Sequence, residues 1–577
     1  MLILLWSPPT FIEFDQQSYH FYALSYSIRV KPKVSEFIDC TISPTPTEGL
    51  TFDSRHCTLS GIPLSVENTT YTVTSTVNDN EYTGTFSLVI TSCDGSLIIA
   101  KRSYSTYASR EGFTIRDSGN NVIVQVNSYS SQIDERELDY VLCLTSTNNY
   151  EVTVSSTTDY WQSASFLYID GVLSGQDSYE TILRVKCDSY LGLPTSYYFN
   201  AHYVIKPYET WNYYMDEPYE TWFDAETSGW KSGSALGHPG YPSSANQIQM
   251  FKKQFTVDSL NNVAGLVVSL KYRHGLIIYL NSHEVFRKGF TGNLTSSTIS
   301  STSLSMVRFR QISLPIKSMN NETNPFGDYV TVGQNTIAIA LIGASKLGFV
   351  SHFDCTVRLM GVPSVSRIWG VKQSQSGIKG NLEAFTNFFH SYSIQQSTCG
   401  DNFYQITFDD DRHEWITSVV LKLHYTQKKQ KPRNVVIKAK NDEDDEWTIL
   451  KEVTGMTWSH TATSNRILFI NEKSYNQYRL ENISTGDPSA CDWKLAQIDL
   501  RSDITDEDVI VSDSVFTPTI VVALVLIALI ALIVVFFMVK NSNDKGLGNI
   551  KGKKSVNSGI TFSRRITDKK TIKRSLL

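Results

Sequence analysis

The run Ile520–Val539, IVVALVLIALIALIVVFFMV, constrains this chain more than any other stretch. It is apolar throughout and carries no charge. At 1.5 Å per residue, a helix of about 20 residues crosses a hydrocarbon core of about 30 Å, so the run predicts one transmembrane helix. A buried core helix is the other reading, but such helices are seldom this long and this uniformly apolar. The flanks give the direction. Lys540–Leu577 carries 11 Lys and Arg against 2 Asp, a net +9, while the preceding residues sum to −14. Basic flanks stay on the cytoplasmic side. Residues 1–519 are therefore expected outside the plasma membrane, and residues 540–577 form a basic cytoplasmic tail. The tail should lie against anionic lipid, at roughly 1 kcal/mol per charge near the surface. Ser563–Thr567, SRRIT, has the form of a basophilic kinase site.

At the other end, Met1–Pro9 has an apolar run of only Leu2–Trp6. A secretory leader needs roughly 7–15 apolar residues. Either the chain is a fragment, its start is mis-assigned, or the apolar run 520–539 itself directs insertion; of these we expect a longer natural ectodomain, truncated here at its N-terminus.

Two features fit an exported glycoprotein. Asn68, Asn293, Asn321 and Asn482 open N-x-Ser/Thr sequons, all before the apolar run. All 8 cysteines lie on the same side, and their possible pairings number about 105. Cys40–Cys57 and Cys399–Cys491 are the expected disulfides, because each pair falls within one domain-like segment. Cys355 shares a strand face with Phe353, Val357 and Leu359, which predicts a buried free thiol. No CxxC pair offers a zinc-type spacing.

At ~150 residues per domain, 577 residues imply about three or four domains. Long amphipathic helical patterns are scarce and aromatics reach 12%. The expected fold is mostly β: tandem antiparallel β-sandwich or jelly-roll domains, then the membrane helix. The expected segments are 9–92, 93–205, 206–362 and 364–503. An acidic stalk follows at 504–519, then the helix at 520–539 and the tail at 540–577.

In the first segment, Thr70–Val77 and Thr83–Thr91 alternate with period two. Between them and the start lies a Pro-rich turn, a Gly-Leu-x-hydrophobic-Asp strand and a Ser-Gly-x-Pro turn, carried by Pro44, Gly49, Leu50, Phe52, Asp53, Ser60, Gly61 and Pro63. This resembles the immunoglobulin-like repeats of the cadherin and dystroglycan type, which implies a sandwich spacer. Cys57 stands where that pattern has glycine, which also suggests its bond to Cys40. In the second segment, Phe166–Leu173 reads as a hairpin around Asp170-Gly171, within a jelly-roll-like sandwich. The junction repeats PYETW at 207–211 and 218–222. That repeat is either an aromatic binding strip or a linker whose rings pack on the next sandwich.

The third segment contains YRHGLIIYLNSHEV, residues 272–285. Tyr272, Gly275, Tyr279, Leu280, Asn281, Glu284, Val285 and Arg287, followed by Gly333, Asn335, Ile337 and Ala338, resemble the galactose-binding-like jelly rolls found on secreted hydrolases and surface proteins. The family's acidic pair is Arg273-His274 here, and its turn glycine is Ser282. Losing the acidic pair removes a calcium reading at that loop. Arg273 and His274 become the candidate ligand contacts, against the plainer reading of a solvated turn. The fourth segment carries Pro432, Trp447, Tyr475, Tyr478, Arg479 and Leu480, and resembles the discoidin or coagulation-factor type C domain. Cys399 and Cys491 would be its terminal cysteines. Two acidic stretches, 441–446 and FDDDRHEW at 408–415, have the oxygen ligands calcium uses but no Gly-turned loop. No other cofactor is implied.

No G-x-S-x-G, H-E-x-x-H, phosphate loop or dinucleotide motif stands in a supporting context. The expectation is a non-enzymatic surface protein that binds a glycan or an extracellular protein in adhesion. The alternative is a structural stalk, or the accessory part of a larger ectoenzyme.

Overall fold

The computed structural model describes residues 11–502 except 24–26, 35–36, 105–107, 129–136, 146–148, 163–164, 174–178, 235–246, 262, 319–327, 346–352, 362–366, 381, 383–393, 397–400, 424–430, 443–444, 459–463 and 487–492. The stalk, the apolar run 520–539, the basic tail, Asn321, Cys399 and Cys491 lie outside the described residues. No helix among the described residues is long and apolar enough to cross a membrane.

What is described is mostly β, arranged as paired sheets. In the first sandwich, Glu67–Val77 and Asn80–Thr91 form a long hairpin. Asn78 and Asp79 turn it at φ 53° and 62°, the positive values a two-residue type I′ turn requires. Tyr71, Val73, Phe86, Leu88 and Ile90 alternate into the core. Ser18–Tyr22 joins Asn80–Thr91 in parallel. Cys40 and Cys57 are bonded, with Cα atoms 5.3 Å apart.

The second sandwich pairs two four-stranded sheets. One runs Val122–Val126, Glu111–Arg116, Tyr150–Ser156, Ser196–Phe199. The other runs Glu137–Leu144, Ser96–Ser103, Phe166–Val172, Tyr179–Val185. This is the neighbour order of an eight-strand jelly roll whose last two strands come first in the chain. A second disulfide, Cys93–Cys143, ties it, and Cys187 is a buried free thiol. The hairpin expected at Asp170-Gly171 is absent: Phe166–Val172 is one continuous strand. Asp170 and Gly171 instead follow a bulge at Ile169. The glycine is needed for space rather than for a turn, since a Cβ there would sit 1.9 Å from the Tyr203 hydroxyl.

The third sandwich sets the sheet Tyr203–Ile205, Cys355–Gly361, Val263–Tyr272, Arg308–Pro315 against a six-stranded sheet. That sheet is ordered Lys231–Ser234, Thr210–Tyr214, Ile248–Val257, Gly333–Ile342, Gly275–Leu280, His283–Lys288. Phe353, Cys355, Val357 and Leu359 all face its core, with Cys355 buried and free. The fourth sandwich has two five-stranded sheets closed over Ile406, Tyr478, Leu480 and Trp493. The hairpin Asn434–Lys440 with Thr448–Val453 belongs to one of them.

The second and fourth sandwiches both dock on the outward face of the third sandwich's four-stranded sheet. Glu180, from the second, accepts a guanidinium fork from Arg358 at 2.8 and 2.6 Å and a bond from the Ser269 hydroxyl at 3.0 Å. From the fourth, Trp415 packs with Ala264, Val267 and Met360. His413 forms a parallel bridge with Ile312, and Ser313 donates to Glu414 at 2.8 Å.

Candidate functional site

Within the six-stranded sheet of the third sandwich, Gly275–Leu280 and Gly333–Ile342 are buried on both faces, which explains why these two strands read as nearly continuous hydrophobic runs. Alternation divides the residues. Phe251, Phe255, Leu276, Ile278, Ile337 and Ile339 point to the sandwich core. Met250, Ile277, Ala338 and Ala340 point outward, into a second layer. The two alanines lie on Gly333–Ile342, between Ile248–Val257 and Gly275–Leu280.

The repeated PYETW splits between these layers. Trp211 of the first unit enters the core and meets Phe353 edge-on at 5.1 Å. Trp222 of the second unit lies on the outward face and meets Tyr279 edge-on at 5.5 Å. Phe223 stacks on Tyr279 with centroids 4.3 Å apart and planes 10° apart. Further across the sheet, Tyr214 contacts Tyr219 and Trp230 at 5.8 and 5.6 Å, and the Trp230 indole donates to the Tyr219 hydroxyl at 2.9 Å. The rings of the junction therefore pack on the sandwich they introduce.

The layer is half-open rather than sealed. Tyr219 keeps 41% of its surface exposed, and Tyr214, Phe223, Trp230, Tyr279 and Phe290 are half-buried. Polar groups border the rings. Glu284 takes a two-point fork from Arg287 at 2.6 Å on each oxygen, and the Tyr279 hydroxyl approaches the same carboxylate at 3.4 Å. Arg287 also lies over Phe290 at 4.5 Å. Ser282, in the turn, donates to Asp224 at 2.8 Å. Lys252 is buried beneath Trp230, its ammonium 4.3 Å from the ring and donating to the Glu226 carbonyl at 2.6 Å. Burial pushes that ammonium down to about 8, with Asp224 and Glu226 opposing the shift.

Asn281 and Ser282 turn the hairpin of Gly275–Leu280 and His283–Lys288, at one edge of the sheet, at φ 45° and 68°, so serine takes the left-handed position a glycine usually fills. Asn281 also fixes the turn to its neighbour strand. Its amide donates to Asn335 at 2.7 Å and to the Tyr329 carbonyl at 3.0 Å. Arg273 and His274 lie at the other end of this hairpin, about 20 Å along a six-residue strand. Arg273 is exposed and donates to the Leu304 carbonyl at 3.1 Å. His274 is half-buried, and burial followed by the Arg273 charge pushes its imidazole pKa down. The fold brings neither of them into the aromatic layer.

That end of the hairpin is where the fourth sandwich docks, and here FDDDRHEW acts as a clasp. Asp411 accepts from the Tyr272 hydroxyl and the Lys288 ammonium, both at 2.6 Å, with His413 at 3.4 Å. Burial pushes the Asp411 carboxyl up, but His413 and Lys288 together hold it well below the usual range. Asp410 pairs with Arg308, and Asp442 reaches Lys288 at 3.3 Å. These acids hold cationic side chains of the third sandwich, and among the described residues no group of three or more His, Cys, Asp or Glu is placed to hold a metal. In the fourth sandwich Tyr478 is buried and donates to the Glu414 carbonyl at 2.6 Å. Arg479 lies between Phe403 and Trp447, at 4.3 and 4.1 Å. Of the remaining sequons, Asn68, Asn293 and Asn482 are all exposed.

Comparison with known proteins adds the following. Residues 8–92 match the family model described as "Putative Ig domain". No curated protein matches the chain. Among solved structures, a CBM32 module from Clostridium perfringens, in complex with GalNAc-β-1,3-galactose, is similar at 8% identity and TM-score 0.19, over 23% of this chain and 94% of its own. The fucolectin from striped bass (Morone saxatilis) serum is similar at 8% identity and TM-score 0.19, over 46% of this chain and 85% of its own. Allantoicase from Saccharomyces cerevisiae is similar at 10% identity and TM-score 0.19, over 49% and 83%.

Proposed function

We propose that the chain is the recognition part of a single-pass surface glycoprotein of the plasma membrane, and that it binds glycans through the aromatic layer of its third sandwich. In this reading the first sandwich is a spacer of the cadherin and dystroglycan type, and the protein serves adhesion rather than catalysis. The observation that carries the reading is the half-open row of rings bordered by the Glu284–Arg287 pair. A pyranose presents one apolar C–H face and a rim of hydroxyls. Flat aromatic rings take the face. A carboxylate beside a guanidinium offers acceptors and donors to adjacent hydroxyls. The Glu284–Arg287 fork is fixed before any ligand arrives, so little ordering entropy is spent on binding.

The test is a glycan array probed with residues 1–519 and with Tyr219→Ala and Glu284→Gln variants. Binding to a defined sugar class, weakened about tenfold or more by each variant, supports the proposal; each tenfold loss corresponds to ~1.4 kcal/mol. An array that stays blank, or binding that both variants leave intact, refutes this placement of the site.

A further inference from the structure

The second layer of the third sandwich continues into a segment that points to a modification. After the strand His283–Lys288, the chain runs Gly289-Phe290-Thr291-Gly292-Asn293-Leu294-Thr295. Gly289 and Gly292 turn at φ 80° and 78°. Phe290 and Leu294, on either side of Asn293 in sequence, both pack against the outward layer. Arg287 ties the segment down, with its guanidinium 4.5 Å from the Phe290 ring and donating to the Gly292 carbonyl at 2.6 Å. Asn293 itself is exposed. A sequon is thus anchored between two apolar side chains, with a half-buried aromatic ring three residues before its asparagine.

The other described sequons lack this arrangement. Asn68 lies within the strand Glu67–Val77, paired with Val89, and Leu64–Glu67 before it hold no aromatic residue. Asn482 sits at φ 52° with its backbone N–H donated to the Asn402 carbonyl at 2.9 Å, and Arg479–Glu481 hold no aromatic residue.

We propose that Asn293 carries an N-linked glycan whose innermost N-acetylglucosamine packs on Phe290 and closes the edge of the aromatic layer. The bond formed is an ordinary N-glycosidic link from the Asn293 amide nitrogen to the sugar anomeric carbon, with the lipid pyrophosphate of the donor oligosaccharide leaving. The chemistry of the contact is the one that places sugars on exposed rings: the C–H face of the pyranose leaves water against Phe290. This rests on the exported reading of the chain, and the sugar belongs to the protein itself rather than to a bound ligand.

The test expresses the full chain behind a secretory leader in insect cells. Site occupancy is read by peptide mass spectrometry, and melting is measured before and after an amidase removes the sugars. Three proteins are compared: the wild type, Phe290→Ala and Asn293→Gln. We expect Asn293 to be occupied. Deglycosylation should lower the melting temperature of the wild type by about 2–4 °C, as a contact of this kind would in a domain of this size. The shift should vanish in Phe290→Ala, whose sequon is intact, and in Asn293→Gln. A bare Asn293 in a preparation where Asn68 or Asn482 is modified overturns the site. Modification at none of the three overturns the exported reading and the site with it. An equal shift with and without Phe290 overturns the packing.

Discussion

Glu180→Ala should separate the second sandwich from the third. Glu180 is buried, with its side chain 0% exposed and that of its partner Arg358 2% exposed. Its carboxylate accepts the Arg358 fork at 2.8 and 2.6 Å, the Ser269 hydroxyl at 3.0 Å and the Tyr203 hydroxyl at 3.3 Å. Alanine leaves a buried guanidinium whose closest remaining acceptor is the Leu359 carbonyl at 3.1 Å. Removing one partner of a buried ion pair costs roughly 3–5 kcal/mol. That corresponds to an opening equilibrium about 10²–10⁴-fold larger. A multi-domain chain has no single unfolding free energy, so the opening of this one interface is read locally. Hydrogen exchange at Tyr179–Val185 and Cys355–Gly361 reads the opening directly. Glu180→Gln keeps the shape but loses the charge, and should cost about 1.5–3 kcal/mol. The pair Glu180→Leu with Arg358→Met removes both charges and should recover most of the loss, to within about 2 kcal/mol of the wild type. If Glu180→Ala raises exchange less than about tenfold, the ion pair does not hold the interface. If the double variant is as damaged as the single one, the cost was shape rather than unpaired charge.

Two more outcomes follow from titratable groups. Burial pushes the Asp170 carboxyl up to about 6, so the folded chain holds a proton that the unfolded chain has released between about pH 4 and 6. Stability therefore falls as pH rises through that window and is flat above it; Asp170→Asn should remove the slope in a melting series and stabilise at pH 7 by about 1–3 kcal/mol. Asp411 has the opposite sign, because His413 and Lys288 hold its carboxylate down despite burial. Its contribution is complete above about pH 5 and is lost as pH falls through 4 and below. The protection factors of the Arg308–Pro315 amides, which divide out the intrinsic pH dependence of exchange, should fall at pH 3 relative to pH 5, and Asp411→Asn should show the lower protection at both.

The elements that were legible in the sequence are those set by local chemistry. Period-two alternation marks Thr70–Val77 and Thr83–Thr91, which fall in the strands Glu67–Val77 and Asn80–Thr91, and the Asn281-Ser282 pair marks a two-residue turn. Asp170-Gly171 has the same local signature yet lies inside a strand, because its glycine answers a long-range contact with Tyr203. The docking groups were invisible for the same reason. Glu180 and Arg358 are 178 residues apart, and nothing near either one signals the other. FDDDRHEW is conspicuous for its acids, but nothing local shows that Asp411 and Asp410 pair with Lys288 and Arg308, more than 100 residues earlier in the chain. The repeated PYETW was seen as a unit, while its two tryptophans go to opposite faces of one sheet.

That division bears on how folding and recognition share the hairpin. In Gly275–Leu280, Leu276, Ile278 and Leu280 face the sandwich core, while Ile277 and Tyr279 face the outward layer. The inward set is tied to the stability of the third sandwich, on which the second and fourth both dock. The outward set contacts mainly the junction segment carrying Trp222 and Phe223. At one end the hairpin is pinned by Asp411 through Tyr272 and Lys288, and at the other by Asn281 through Asn335. A strand pinned at both ends and packed on its inner face holds Tyr279 and Glu284 in place without their own help. Side chains on the outer face are then free to be chosen for what they meet, which in the function proposed above is a sugar.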